Sequence, residues 1–185
     1  MKKNILISTG GSGGHVVPAK IFYEQLKNEF NIFMTSDDRG IKFLDNKKYN
    51  LQIINVPKLS KNILILPVQF FLIIKLVFQS YFLLKRKKID ILISTGGYMS
   101  LPLCIASRML NLSLFLFEPN IVLGRSNKLF ISSCEKIFCY SESIINFPKK
   151  FINKLSLIPP LLRKEFYSIK TAQDTYIEKK VNLLI

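Results

Sequence analysis

The sequence predicts an α/β fold in which helices cover both faces of a Rossmann-like parallel sheet. Short apolar runs rich in β-branched residues alternate with longer segments of helical periodicity, which is typical of β-α units. The runs are almost continuously apolar, as expected for strands buried on both faces. One segment also occurs twice, because the seven residues from Ile5 to Gly11 recur letter for letter from Ile91 to Gly97. A chain of 185 residues is long enough for one such domain.

Each predicted strand is a short apolar run bounded by Gly, Pro, Asn, Asp, Ser or charged residues. In chain order, we predict strands over residues 4–8, 31–36, 51–56, 89–94, 112–117, 136–140 and 155–158. Longer amphipathic or apolar segments lie between them. These segments predict helices over residues 16–29, 40–48, 67–87, 100–110 and 124–133.

The two copies of the repeat predict two anion sites at one edge of the sheet. Each copy leads through glycines toward a helix, with Pro18 or Pro102 expected in the first turn, where a missing N–H costs nothing. Glycines let the backbone approach a ligand, and the free N–H groups of a helix start favour anions. The first loop lacks the Lys of a P-loop and does not fit G-x-G-x-x-G. The small range of residues found in buried strands could also explain the repeat.

Two residues near these predicted strand ends could carry acid-base chemistry. His15 is the only histidine, and it directly follows the first glycine loop. A helix N-terminus disfavours imidazolium, so a neutral ring there could act as a general base, although a lone His can also be structural. Glu118 follows the fifth strand and could bind a sugar hydroxyl or act as a base. Turn formation alone could also explain the Pro119-Asn120 segment.

Composition restricts the partners and excludes several kinds of site. The 27 Lys and Arg residues outnumber the 12 Asp and Glu residues, which gives a net charge of +15 and predicts attraction to phosphate. Only five of the 27 are Arg, which favours an anionic membrane surface and predicts no nucleic-acid partner. The three cysteines form no C-x-x-C pair, so we predict no disulfide framework and no metal site. The N-terminus does not predict a signal peptide.

The segment 63–84 is the most apolar part of the chain and is followed by four basic residues. Its 22 residues could span a bilayer, but Pro67, Lys75 and the flanking β-α units favour a helix that enters the headgroup region from one side. A buried crossover helix is the alternative, and both hold if one side packs on the sheet while the other meets lipid. The predicted membrane contacts are Phe71, Ile74, Phe78, Phe82, Lys85, Arg86, Lys87 and Lys88.

Three motifs together resemble the N-terminal half of the MurG family of peptidoglycan glycosyltransferases. They are the first glycine loop with its His over residues 9–19, the second loop over residues 96–102 and the segment 118–128. The resemblance implies the N-terminal half of a GT-B glycosyltransferase. Residues 1–165 would form the Rossmann-like acceptor and membrane domain, and residues 166–185 a linker and the start of a missing C-terminal donor domain.

The resemblance also implies a reaction and a location. The family transfers GlcNAc from UDP-GlcNAc to the MurNAc 4-hydroxyl of lipid I, undecaprenyl-pyrophosphoryl-MurNAc-pentapeptide, with inversion and without a metal or cofactor. The product, lipid II, serves peptidoglycan synthesis and thereby cell-wall biogenesis, cell shape and division. The family works as a peripheral protein on the cytoplasmic face of the bacterial inner membrane. We expect the 185 residues alone to be inactive.

The resemblance assigns roles residue by residue. His15 corresponds to the suspected base, with Glu118 as the alternative. The implied substrate-binding residues are Ser12, Gly13, Gly14, Gly96, Gly97, Tyr98, Asn120 and Arg163. Phe117 and Pro119 stand where the family has His and Gln.

Two other functions compete with this one. The chain could be a non-catalytic, membrane-bound acceptor subunit of a split glycosyltransferase that recruits a separate donor-binding partner chain. It could also be a nicotinamide-binding or nucleotide-binding Rossmann domain, although the glycine spacing does not fit that class.

Overall fold

The computed structural model describes residues 2–44, 48–57 and 65–161. Seven parallel strands form one sheet in the order β3-β2-β1-β4-β5-β6-β7, which confirms the predicted α/β class. The strands are β1 (Asn4–Ser8), β2 (Asn31–Ser36), β3 (Leu51–Ile53), β4 (Ile91–Ser94), β5 (Ser113–Glu118), β6 (Lys136–Cys139) and β7 (Leu155–Leu157).

Four α-helices and three 3-10 turns connect these strands. The helices are α1 (Gly13–Leu26), α2 (Leu66–Arg86), α3 (Leu101–Met109) and α4 (Arg125–Phe130). The 3-10 turns are Gly40–Phe43, Tyr98–Ser100 and Lys149–Lys154.

Two apolar cores lie on opposite faces of the sheet because successive side chains of a strand point to opposite sides. Ile7 packs in the core that contains Phe22 of α1. Its neighbour Leu6 packs in the other core, with Leu84 of α2 and Leu103 of α3. The predicted covering of both faces by helices is therefore confirmed.

The seven-residue repeat places two identical strands side by side. In the register of β1 and β4, Ile5 lies opposite Ile91 and Ser8 lies opposite Ser94, so the same letters face each other. The strand order also reverses direction between β1 and β4, and ligands of open α/β sheets bind at such a switch point. Both glycine loops consequently leave the sheet at the place where this topology puts a ligand.

Three predicted elements are shorter by three or more residues than the sequence pattern indicates. The predicted strand 51–56 ends at Ile53, because after Ile54 the side chain of Asn55 turns to bond both the backbone N–H and the carboxylate of Asp38. The predicted helix 40–48 is only a 3-10 turn over Gly40–Phe43 in the described residues. The predicted helix 124–133 ends at Phe130, whose carbonyl accepts bonds from both the N–H and the hydroxyl of Ser133.

The prediction that both prolines lie in a first helical turn is wrong for one of them. The last two glycines of the first loop, Gly13 and Gly14, are themselves helical, so α1 begins at Gly13 and Pro18 lies inside it. Since proline has no N–H, the carbonyl of Gly14 loses its helical donor there. Pro102 does lie in the first turn of α3, as predicted.

The three cysteines are free and buried. Burial raises the pKa of the Cys104 thiol to about 12. Within the described ranges, no group of three or more His, Cys, Asp and Glu side chains could hold a metal ion. Arg163 and the predicted linker at residues 166–185 lie outside the described residues.

Candidate functional site

His15 connects the two halves of the repeat across the switch point. Its Nδ1 lies 2.6 Å from the carbonyl oxygen of Thr95, which directly follows β4. A carbonyl can only accept a hydrogen bond, so Nδ1 carries the proton. In the neutral ring, Nε2 then keeps its lone pair and is able to accept a proton from a ligand.

The second glycine loop passes close over the His15 ring. Gly96 and Gly97 have φ values of +89° and +79°, a region that L side chains rarely adopt. A Cβ on Gly96 would lie 3.4 Å from His15 Cε1, and one on Gly97 would lie 3.6 Å from Cδ2. The backbone conformation therefore requires glycine at both positions. Because glycine has no Cβ, the loop places no side chain against the ring.

Glu118, at the buried end of β5, organises the opposite wall of the site. One carboxylate oxygen accepts from the backbone N–H and the side-chain Nδ2 of Asn120, at 3.2 and 2.9 Å. The other accepts from the N–H of Gly124 at 2.7 Å and from Nδ2 of Asn127 at 2.9 Å. This geometry holds residues 119–124 and the start of α4 in place. It supports a positioning role, and the role of Glu118 as a base stays a prediction.

A second network, which sequence reasoning missed, spans the first glycine loop. Asp37 Oδ1 accepts from the N–H groups of Gly11 and Gly40, and Oδ2 accepts from Arg39 Nε. Burial alone would raise the pKa of Asp37, but these hydrogen bonds outweigh it and hold the pKa below its usual value. Arg39 also donates from Nη2 to the Tyr98 hydroxyl at 2.6 Å. The network fixes Tyr98 relative to the first loop.

The two walls enclose a cavity of about 550 Å³, here called the main cleft, at the carboxyl ends of the strands. It brings together six predicted site residues, which are His15, Gly96, Gly97, Tyr98, Glu118 and Asn120. The residues Ser12, Gly13 and Gly14 lie just before His15 and do not line it. Arg125 is the one lysine or arginine that lines the cleft, whose walls consist entirely of described residues.

Asn127 is a site residue that the sequence analysis did not single out. It is buried, lines the main cleft and donates from Nδ2 to Glu118 and to the carbonyl of Phe117. Its Oδ1 has no hydrogen-bond partner among the described residues. The sequence signal for it is its place in the segment 118–128, one of the three motifs on which the family resemblance rests.

Helix α2 forms the side of the main cleft nearest to an exposed apolar surface. Its inner face buries Ser80, Leu83 and Leu84, whereas the outer face exposes large apolar side chains. All four apolar residues predicted to contact membrane are exposed, by 70% for Phe71, 36% for Ile74, 53% for Phe78 and 63% for Phe82. Ile73 lines the main cleft, so this surface and the cleft adjoin.

The length and basic end of α2 are also as predicted. Among the described residues, α2 alone is long and apolar enough to cross a membrane. Only 17% of its most apolar 18-residue stretch is buried. Lys85, Arg86 and Lys88 are exposed, while Lys87 is half-buried over the ring of Phe33, at 4.9 Å. The packing of α2 against α3 makes it a crossover helix with one open side.

The sheet order and the cleft at its switch point define the N-terminal domain of a GT-B fold. The glycosyltransferase family 28 N-terminal domain matches residues 5–139, and the chain belongs to this family. The fold agrees with solved structures: Acinetobacter baumannii MurG matches with a TM-score of 0.66 and 23% identity, over 79% of this chain and 43% of that chain. The S. aureus MnaA-UDP co-structure matches with a TM-score of 0.61 and 11% identity, over 84% of this chain and 43% of that one.

A curated relative matches the whole chain. The Pelagibacter ubique (strain HTCC1062) protein named UDP-N-acetylglucosamine--N-acetylmuramyl-(pentapeptide) pyrophosphoryl-undecaprenol N-acetylglucosamine transferase is 57% identical over 185 residues. These residues are all of this chain and 51% of the relative. The chain thus spans about half the length of the curated relatives it matches.

Proposed function

We propose that this chain is the acceptor-binding half of an inverting transferase that moves GlcNAc from UDP-GlcNAc to lipid I. The observation that carries the proposal is the orientation of His15, whose Nδ1 donates to Thr95 so that Nε2 is left to accept a proton. The family and the name of the Pelagibacter relative support the substrates. The UDP in the MnaA co-structure supports a nucleotide-sugar donor on this fold.

In this proposal each element takes one part of the reaction. The MurNAc 4-hydroxyl gives its proton to His15 Nε2 as its oxygen bonds to C1 of GlcNAc, and the bond from C1 to the UDP oxygen breaks on the opposite face. The second glycine loop holds the acceptor diphosphate in the main cleft through backbone N–H groups, and the first loop with the start of α1 lies beside it. Holding both substrates in line supplies much of the rate, which requires a donor-binding half beside this one.

The test is transfer by a chimera that joins these 185 residues to the remaining half of the Pelagibacter relative. We expect labelled GlcNAc to pass from UDP-GlcNAc to lipid I, while the 185 residues alone transfer none. The intact Pelagibacter protein is the positive control. A chimera that is folded and binds UDP-GlcNAc but never glycosylates lipid I would contradict the proposal.

The same assay distinguishes an enzyme split over two chains from one whose two halves must share a single chain. If the chain is an acceptor subunit that recruits a separate donor-binding partner, mixing it with a separately produced donor half restores transfer. If the two halves must share one chain, only the chimera is active.

We also propose that the outer face of α2 places the protein on an anionic membrane as a peripheral protein. Exposed phenylalanines beside exposed Lys85, Arg86 and Lys88 match the acyl and headgroup layers of such a surface. The adjoining main cleft would then face the headgroup of a membrane-anchored acceptor. The test is flotation with vesicles, and we expect binding to phosphatidylglycerol vesicles and much weaker binding to phosphatidylcholine vesicles.

A further inference from the structure

A second hollow of about 840 Å³ lies beside the main cleft, and nothing in the reaction described above uses it. The two cavities share Asn120, Gly124 and Arg125, so Arg125 stands on the ridge between them. We call the second cavity the side hollow. It lies over the segment from Pro119 to Arg125 and extends to Lys128 and Asn146.

We propose that the side hollow binds the peptide branch of the acceptor and that Arg125 and Lys128 bind its carboxylate. This inference rests on the proposed function, because it takes the acceptor to be a muramyl sugar bearing a peptide. The peptide is joined through its amino end, so a free carboxylate remains at its other end.

The position of the hollow follows from the chemistry of the sugar. The reacting hydroxyl is on C4 of the muramyl ring, and the peptide is carried on C3, the neighbouring carbon. When the hydroxyl lies at His15, the branch must leave the main cleft close to that point. An extended five-residue branch reaches up to about 17 Å, enough to cross a ridge one side chain wide.

The lining of the side hollow fits an anionic peptide. None of its lining residues, all of them in the described part of the chain, is acidic, and Arg125 and Lys128 are both cationic and exposed. Neither cation has an ion pair within the described residues. The carboxylate nearest to Arg125 along the chain, that of Glu118, is occupied by four uncharged donors. Exposed Ile121 and Val122 offer apolar contact to small side chains of a peptide.

The floor of the hollow is held in a fixed conformation. Leu123 N–H donates to the carbonyl of Ile145 at 3.0 Å, and Ile145 N–H donates to the carbonyl of Ile121 at 2.7 Å. Together with the bonds from Asn120 and Gly124 to Glu118, these contacts fix the loop at both ends. A preformed wall loses little entropy when a ligand binds.

The test is calorimetric binding of the 185-residue chain to three soluble analogues. Each carries a short prenyl chain and a diphosphate on MurNAc; one bears the pentapeptide, one bears the pentapeptide with its terminal carboxylate amidated, and one has no peptide. We expect the first to bind about tenfold more tightly than the other two, the usual scale of one charged hydrogen bond. In K128Q, which changes a lysine that lines only the side hollow, that advantage should disappear while binding of the peptide-free analogue stays unchanged.

The matched control is R108Q, which removes an exposed arginine of α3 that lines neither cavity. It should keep the tenfold advantage. Equal binding of all three analogues by the wild-type chain overturns the inference and leaves the proposed function standing. An equal loss for all three analogues in K128Q also overturns it, since Lys128 would then serve the diphosphate. Failure of the wild-type chain to bind any analogue contradicts the proposed function itself.

Discussion

At the scale of single residues, His15 is defined by what its ring can donate and accept. The Thr95 carbonyl fixes the proton on Nδ1, and the glycines of the second loop leave the ring uncovered. A base in this position typically contributes about 10²- to 10⁴-fold to the rate. In the active chimera, His15→Ala should therefore lower kcat by roughly 10²-fold or more, with little change in the KM of the acceptor. Steady-state kinetics measure this, with Lys20→Ala on the same helix as the control. Unchanged turnover would remove His15 from the mechanism.

Glu118 gives a prediction about stability. Each of its carboxylate oxygens faces two N–H donors, so a glutamine must point its own NH2 group at one of these pairs. Leaving buried donors unpaired costs about 1–3 kcal/mol. We expect Glu118→Gln to lower the free energy of unfolding of the chain by about 2 kcal/mol in urea titration. The exposed Glu135→Gln should change it by less than about 0.5 kcal/mol. Equal stability of the two variants would show that the hydrogen bonds of Glu118 are not important for folding.

Sequence reasoning identified His15 and Glu118 because each is a reactive residue type next to a predicted strand end. It missed the contacts that decide what each can do. Arg39 and Tyr98 are 59 positions apart, and their contact depends on β2 and β4 both flanking β1. Four donors converge on Glu118 only after residues 119–124 have folded back over it. No pattern of neighbouring residues in the sequence predicts that these four donors meet at one carboxylate.

At the scale of elements, α2 shows how one helix serves two environments. Removing three exposed phenylalanines should weaken vesicle binding without disturbing the core, because only the opposite face of the helix is buried. A buried Phe contributes about 1.5–3 kcal/mol, so partial insertion of three is worth more than a tenfold change in affinity. We expect Phe71→Ser/Phe78→Ser/Phe82→Ser to reduce flotation with phosphatidylglycerol vesicles by at least tenfold.

The matched control replaces exposed apolar residues elsewhere. Ile145→Ser/Ile152→Ser removes side chains that are 55% and 62% exposed and that line neither the main cleft nor the side hollow. It should leave flotation unchanged. If both variants lose flotation equally, α2 is not the membrane-contacting element.

The elements also differ in how far sequence could predict them. The strands 4–8 and 31–36 were predicted to the residue, because apolar runs end sharply at polar or glycine residues. The start of α1 was less predictable, since Gly13 and Gly14 carry no helical signal and yet open this helix. The 3-10 turn at Gly40 lies where a helix was predicted, and its first N–H donates to the carboxylate of Asp37 three residues earlier, a local contact that the apolar pattern does not show.

At the scale of the whole molecule, the seven-residue repeat explains why the sequence could predict the position of the candidate site. The two copies of the strand lie side by side in register. The loops that follow them therefore start from adjacent positions at the same edge of the sheet. The position of Asp37 beside these loops was not predictable, because it depends on β2 lying on the other side of β1. Asp37 bonds the first loop and the turn after β2, and its ionisation is therefore linked to the stability of this whole edge.

This linkage predicts the response of the protein to acid. The pKa of Asp37 lies below its unfolded value of 3.8, despite a burial that would raise it, because Gly11, Gly40 and Arg39 bond its charged form. A lowered pKa means that the carboxylate stabilises the fold fully above pH 3.8, and that this contribution is lost as the pH falls through the folded-state pKa. The free energy of unfolding of the wild-type chain should decrease as the pH is lowered from 5 to 3.

Asp37→Asn isolates this contribution. Asparagine can keep the two bonds from Gly11 and Gly40 but presents an NH2 group to Arg39 Nε, so the variant should be less stable at pH 7. It should also lose less stability than the wild type between pH 5 and pH 3, since it takes up no proton at this position. Urea titrations across that range measure both effects. Asp38→Asn is the neighbouring control, at a carboxylate whose one hydrogen bond within the described ranges comes from Asn55. Parallel curves for the wild type and Asp37→Asn would mean that another carboxylate, such as Glu24 with its lowered pKa, controls the acid response.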